Sequence, residues 1–319
     1  MTPNEPTDIV GPDEPEVRRY TSKLWDWDAF PASRGYPELA RAQMRFIGAG
    51  GSPKVGDVST LEAHTFTCSL LYQEPHRYAA VHTHEIEEIF LIHQGRMTVS
   101  WEFDGELVDV VLGPGDALVN PAGRAHGFRN DGPGPILAQF MVGHPKPMLP
   151  KYKSHPSSGD SDPRFGADLP DPTDPRAKEM ARYVVRAGEA PTVWVDSEAG
   201  GSFAVQPYVS PLSRGGVVEP GHFALHMLHL APGAATPTRA WDYEVAVMVA
   251  AGQLEVTLGD PAMPGVEVRV VRLGALDLLR VSPGVPATFA NRGPMLMSAV
   301  AVLGTDSPDL GHWEANRVG

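Results

Sequence analysis

Cysteine is nearly missing from this 319-residue chain: Cys68 is the sole one, which excludes an intrachain disulfide and fits a reducing compartment. It stands in Thr65-Phe66-Thr67-Cys68-Ser69-Leu70-Leu71-Tyr72, an alternating stretch with no activating base nearby in sequence, so it reads as a small core residue rather than a nucleophile. Long apolar runs are missing too, and the start, Met1-Thr2-Pro3-Asn4-Glu5-Pro6, lacks the basic and apolar regions of a signal peptide. No membrane partner is therefore expected, and a cytoplasmic location is the default. Positive charge is scarce: 26 Lys and Arg against 39 Asp and Glu give a formal charge of -13, which repels phosphate and argues against a nucleic-acid partner.

Turn formers are plentiful. The 33 glycines and 32 prolines separate short β-branched or aromatic runs, the pattern of an all-β chain with many turns. Met1 to about Val17 is rich in proline and acids and reads as disordered, and residues 1–50 as an N-terminal arm with Trp25, Trp27, Phe30 and Tyr36 as packing anchors. A short helix is expected over Pro37–Met44. Residues 51–150 read as a first domain of short strands. In it Arg96–Phe103 and Glu106–Leu112 flank Asp104-Gly105, a two-residue hairpin turn that calls for positive φ. Ile136–Val142 would be the last strand. Residues 151–185, rich in Pro, Gly, Ser and Asp, read as a linker ending in a helix over Pro175–Val184, and residues 186–319 as a second domain.

The chemistry concentrates in residues 82–130. On a strand, side chains two and four residues apart share a face, so His82, His84 and, if the extended chain persists, Glu88 can converge, with His126 arriving from another strand. Imidazoles with one carboxylate suit Fe(II), Mn(II), Ni(II), Cu(II) or Zn(II) and leave room for water or substrate. Glu85 and Glu87 have the opposite parity and are expected in solvent. Phe90 and Ile92, with the parity of Glu88, and Phe128, with that of His126, would wall a pocket or simply fill a core. Tyr72, Arg96 and Gln139 are polar groups that could orient a substrate or serve packing and surface roles.

The second half repeats the first. With Gly252 set against Gly95, Arg239, Trp241 and Val245 take the places of His82, His84 and Glu88. Gly274, Asp277, Gly284, Phe289 and Asn291 then match Gly113, Asp116, Gly123, Phe128 and Asn130, which puts Ala287 at His126. The offset grows across 259–265, where the first half has its tight turn, and hairpin loops are where insertions belong. Every ligand is lost in this copy. Asp242, Tyr243 and Glu244, with His226 and His229 on a neighbouring strand, suggest no four-ligand set, so the second copy reads as degenerate.

His82, His84, Glu88 and Gly95, followed by Gly115, Pro121, Gly123, His126 and Asn130, resemble the two-part motif of the cupin superfamily, with His76 standing where the motif has its leading glycine. The resemblance covers residues 65–143 well and 225–303 weakly. It implies two tandem double-stranded β-helix, or jelly-roll, barrels: a bicupin with one divalent transition metal per chain, Fe(II) favoured, held by His82, His84, Glu88 and His126. It also implies pairing of barrels, hence a homodimer or higher homo-oligomer. The first expectation for function is a dioxygenase-like metal-dependent oxygenase, with O₂ as co-substrate, acting on a small organic molecule such as an oxygenated aromatic or a keto or hydroxy acid. Quercetinase-like and oxalate-decarboxylase-like cupins keep the glutamate that many ring-cleaving members lack. The second is a non-redox isomerase, decarboxylase or lyase in which Glu88 or a bound hydroxide acts as the base. The third is a non-catalytic bicupin that binds a small molecule.

Overall fold

A computed structural model describes residues 15–159, 165, 171, 173–196, 202–263, 265 and 267–308. It is built of antiparallel strands, and no helix among the described residues is long and apolar enough to cross a membrane. The first half contains β1 (Val17–Arg18), β2 (Ala42–Ile47), β3 (Thr67–Gln73), β4 (Tyr78–Thr83), β5 (Glu88–Gln94), β6 (Met97–Phe103), β7 (Glu106–Leu112), β8 (Ala117–Asn120), β9 (His126–Arg129), β10 (Ile136–Val142) and β11 (Lys151–Tyr152). After the helix α1 (Pro175–Ala181) come β12 (Val184–Val185), β13 (Val193–Asp196), β14 (Ser202–Val209), β15 (Ala224–Leu230), β16 (Val245–Ala251), β17 (Leu254–Leu258), β18 (Arg269–Leu273), β19 (Leu278–Val281), β20 (Ala287–Ala290) and β21 (Met297–Leu303).

These strands form two jelly-roll barrels. In the first, the sheet β12-β8-β5-β10-β3-β2 faces the sheet β11-β4-β9-β6-β7; in the second, β1-β19-β16-β21-β15-β14-β13 faces β18-β17-β20. The turn between β6 and β7 has positive φ at both Asp104 (51°) and Gly105 (87°), as the hairpin signal requires. His76 has a φ of 57°, the left-handed conformation that a glycine adopts freely, which is why the motif has glycine there.

Four expectations for the flanking segments need correction. Val17 is not in a disordered tail: β1 pairs with β19 of the second barrel, while residues 1–14 lie outside the described residues. Over Pro37–Met44 only a 3₁₀ turn forms, Pro37–Leu39, and the chain then extends into β2, which pairs with β3. The apolar Ala42, Met44 and Phe46 alternate with polar residues here, and a place on the sheet outweighs local helix preference. The sequence reading put this strand in the arm, yet it completes a sheet of the first barrel. α1 likewise ends at Ala181, and Val184–Val185 pairs with Leu118 and Ala117 of β8 instead of continuing the helix.

Barrel interiors and the space between barrels are separate cores. Leu71, Phe90, Ile92, Val99, Trp101 and Phe128 fill the first barrel, and Phe203, Leu228, Val247, Val256 and Phe289 the second. Outward residues of both, among them Phe46, Leu70, Leu91, Phe223, Leu225 and Met248, pack together between them. Buried Cys68 belongs to this middle layer; burial pushes its thiol up to about 12 while Gln139 Nε2 donates to its sulfur.

Two carboxylates clamp this middle layer. Glu87 is 4% exposed and accepts backbone N–H bonds from Gly221 (2.8 Å), His222 and Phe223 (3.3 Å), just ahead of β15. Its counterpart Glu244 accepts from the backbone N–H of Thr65 at 2.7 Å, just ahead of β3. Gly143 and Gly304 donate in matching fashion to the carbonyls of Glu87 and Glu244. The expectation that Glu87 is solvated is therefore wrong: its parity does point it out of the first barrel, but the second barrel covers that face. Glu85 is exposed and accepts from the Met148 N–H.

Candidate metal centre

Three strands and the residue just after one of them deliver the convergent side chains. His82 lies near the end of β4, His84 follows that strand, Glu88 opens β5 and His126 opens β9. Register brings them together: His82 pairs with His126, and Glu88 lies between Asn120 of β8 and Val142 of β10. The Pro121-Ala122-Gly123 turn closes against the site through a Gly123 N–H bond to the His84 carbonyl, 2.8 Å, with Gly123 at a φ of 76°.

One potential ligand atom from each of His82, His84, Glu88 and His126 lies within 4.8 Å of every other, and all four residues are buried. Around a metal with bonds of about 2.1 Å, adjacent ligand atoms stand ~3 Å apart and opposed ones ~4.2 Å, so the cluster needs only a slight contraction. Tautomers support the fit. Nδ1 of His82 lies 2.7 Å from the Ala80 carbonyl and Nδ1 of His126 lies 2.9 Å from that of Arg124. Carbonyls only accept, so both rings carry their proton on Nδ1 and turn an Nε2 lone pair inward. His126 Nε2 then faces Glu88 Oε2 at 3.1 Å, acceptor to acceptor, and His84 Nε2 stands 3.4 Å from the same oxygen. Lone pairs so opposed need a cation between them, either a second ring proton or a metal. Burial holds His84 below its ordinary pKa and, with the other two imidazoles, pushes His82 well below it, which opposes a proton on either of these two rings. Burial alone would raise Glu88, but His84, His126 and Arg41 hold its carboxyl below the usual value. Neutral imidazoles beside an ionised carboxylate are what a divalent metal binds.

The cluster opens on a small cavity, partly continuous with solvent, which limits any guest to a small molecule. Phe30, Leu71, Phe128, Phe140 and Val142 form apolar wall, while Arg41, Gln43 and Ser69 add polar groups. Of the pocket residues expected from sequence, only Phe128 lines this space. Phe90 sits behind it, with its ring centroid 5.8 Å from that of His126 and stacked on Phe140 at 4.0 Å; Ile92 lies deeper in the barrel core.

Tyr72, Arg96 and Gln139 lie elsewhere. On β3 the inward residues are Ser69 and Leu71, so Tyr72 points out, packs against Trp25 and Trp27 and donates to Glu74 Oε1 at 2.6 Å. Gln139 also faces outward, between His93 and Cys68. Arg96 is exposed in the turn after β5, the far end of the strand from Glu88. Sequence reading missed Phe30, Arg41 and Gln43, which reach the cavity from the arm and β2. The signal that could have found the last two is the polar alternation Arg41, Gln43, Arg45 between apolar Ala42, Met44 and Phe46.

In the second barrel the same scaffold holds no such group among the described residues. Arg239 bridges to Ala287 as His82 does to His126, and Val245 pairs with Leu303 as Glu88 does with Val142. Trp241 fills the core. His226, at the place of Ser69, is fully buried with Nε2 3.3 Å from Ser210 Oγ, and burial pushes it down to about 3. Its unfolded value is about 6.5, so the stability its neutral form confers is complete above that pH and declines as pH falls toward 3. Urea unfolding of wild type should lose up to about 1.4 kcal/mol per pH unit more than His226→Asn between pH 6.5 and pH 4.5. Equal slopes would count against the buried neutral ring.

Residues 70–142 match the cupin domain family. No curated protein matches the chain. Among solved structures, the chain is similar to an oxalate decarboxylase–formate complex from Lactobacillus farciminis, with a TM-score of 0.62 and 11% identity over 96% of this chain and 91% of that one. Vicilin from Capsicum annuum gives 0.60 and 14% over 93% and 87%. Oxalate decarboxylase from Bacillus subtilis, with its Mn(II) centres, gives 0.60 and 11% over 95% and 80%. At such identities the likeness is one of fold: both halves of the chain take up the two-barrel arrangement.

Proposed function

From a chain with the bicupin fold, we propose a metal-dependent enzyme that acts on a small organic substrate inside the first barrel. The observation that carries this reading is the opposition of His126 Nε2 and Glu88 Oε2 at 3.1 Å, with both donor-side nitrogens of His82 and His126 already committed to carbonyls. His82, His84, Glu88 and His126 would hold one divalent transition metal, Fe(II) foremost. When bound, it supplies Lewis acidity and, if redox-active, a place for O₂ beside the substrate.

The chain's own residues do the rest. Backbone carbonyls at Ala80 and Arg124 keep two imidazoles in one tautomer and orientation. Phe30, Leu71, Phe128 and Phe140 exclude water, which strengthens every electrostatic contact inside. Glu88 has a carboxylate in reach of both His84 and His126, so it can accept a proton at Oε2 if it leaves the metal. Oxygenation is our first reading. The Mn(II) centres of the similar Bacillus subtilis oxalate decarboxylase favour a non-redox reaction, such as decarboxylation, as the second. Self-association into a homodimer or higher oligomer is part of the same proposal.

Elemental analysis of protein grown in metal-replete medium should find about one transition metal per chain; two, or none, would sink the single-site reading. Fe(II)-loaded protein given candidate keto and hydroxy acids or oxygenated aromatics should then consume O₂ in step with substrate. Turnover that persists unchanged under anaerobic conditions would favour the non-redox reading.

A further inference from the structure

The cavity's polar wall away from the metal cluster is supplied by Arg41, just ahead of β2, by Gln43 two residues on in that strand, and by Ser69 beside them. Arg41 is only 5% exposed, and its Nη1 donates to Ser33 Oγ at 3.1 Å and the Leu39 carbonyl at 3.0 Å, while Phe30 lies 4.2 Å beneath the guanidinium. Among the described residues, Glu88 is the only carboxylate on the cavity wall. A divalent metal would bring two positive charges and Arg41 brings a third, against which Glu88 returns one. Burying that surplus is costly unless a guest brings negative charge.

Gln43 specifies the guest further. Its Nε2 donates to Ser69 Oγ at 3.1 Å, which fixes the amide, and its Oε1 is buried with no hydrogen-bond partner among the described residues. Gly50 backs the amide so closely, at a φ of 59°, that a Cβ there would fall 2.5 Å from Nε2. A buried acceptor left unpaired costs about 1–3 kcal/mol, and a hydroxyl donor on the guest would satisfy it.

We infer that this site takes a small hydroxycarboxylate, with its carboxylate on the Arg41 guanidinium and its hydroxyl donating to Gln43 Oε1. The inference rests on the metal-dependent reading for part of the positive charge. Arg41 and Gln43 are then specificity-determining residues supplied from outside the segment that matches the cupin domain.

The test is titration calorimetry with lactate, propionate and lactamide on wild type, Arg41→Met, Arg41→Lys and Gln43→Leu, after elemental analysis of each protein. Wild type should bind lactate at least about tenfold more tightly than propionate, and lactamide should not bind. Arg41→Met should weaken lactate by about 30-fold or more while keeping its metal, with Arg41→Lys in between. Gln43→Leu should bring lactate down to the propionate level and leave propionate unchanged. Lactate binding unchanged in Arg41→Met or in Arg41→Lys, lactamide binding as tightly as lactate, or no lactate binding to wild type at tens of millimolar would overturn the inference. A wild-type protein without metal would overturn the metal reading instead. The Arg41 comparison would then be read on the metal-free chain by the same criterion.

Discussion

His126→Ala is expected to lower metal content from about one per chain to less than about a tenth. His126 supplies the lone pair that faces Glu88 from the opposite sheet, and its ring is 1% exposed, so no solvent-side group can replace it. Alanine at this place is already present in the second barrel, as Ala287, where no metal-binding group exists among the described residues. The readout is elemental analysis, paired with thermal unfolding with and without added Fe(II) or Mn(II). At a thousandfold excess over Kd, a metal that binds only the folded state stabilises it by about 4 kcal/mol, and the variant should show none of that gain. Full stoichiometry in the variant would remove His126 from the site.

Glu87→Ala should be the most destabilising single change outside the barrel interiors. The carboxylate is buried and satisfies the backbone N–H groups of Gly221, His222 and Phe223, and nothing else in the clamp can reach them after truncation. Leaving the buried Phe223 N–H and the part-buried N–H groups of Gly221 and His222 without this acceptor costs about 2 kcal/mol or more, enough to lower Tm by at least about 4 °C. Glu85→Ala, two residues away but exposed, should change stability by less than about 0.5 kcal/mol. Denaturant melts of the two variants would settle the matter; similar midpoints would mean that the clamp contributes little.

Periodicity and turn chemistry made much of this legible. The spacing of His82, His84, Glu88 and His126 placed them on inward faces, and the structure brings all four together. The Asp104-Gly105 hairpin and the correspondence of Arg239, Trp241, Val245 and Ala287 with the first-barrel positions also follow from local rules and repeat register. What escaped was whatever depends on a neighbour. Parity told which way Glu87 points but not that a second barrel covers it. β3 carries no ligand to tell which of its faces is inward, so Tyr72, on the face of Cys68 and Leu70, reads from sequence as open to a pocket role that belongs to the face of Ser69 and Leu71. Phe30 reaches the cavity from a segment without a motif, and the polar alternation of Arg41, Gln43 and Arg45 marks a strand face without saying which cavity it borders.

The paired clamps have a consequence for what each barrel must keep. Glu87 reaches the backbone ahead of β15 as Glu244 reaches the backbone ahead of β3, and Gly143 and Gly304 repeat the arrangement: an isologous contact, the kind two identical single-barrel subunits make across a twofold axis. The two barrels then meet within one chain as the protomers of a twofold dimer meet. In such an arrangement one copy can lack the metal ligands while its clamp residues remain structurally required. Val245 and Ala287 stand where the first barrel has Glu88 and His126 and take no part in the clamps, whereas replacing Glu244 would loosen the hold on the barrel that carries the four-residue cluster.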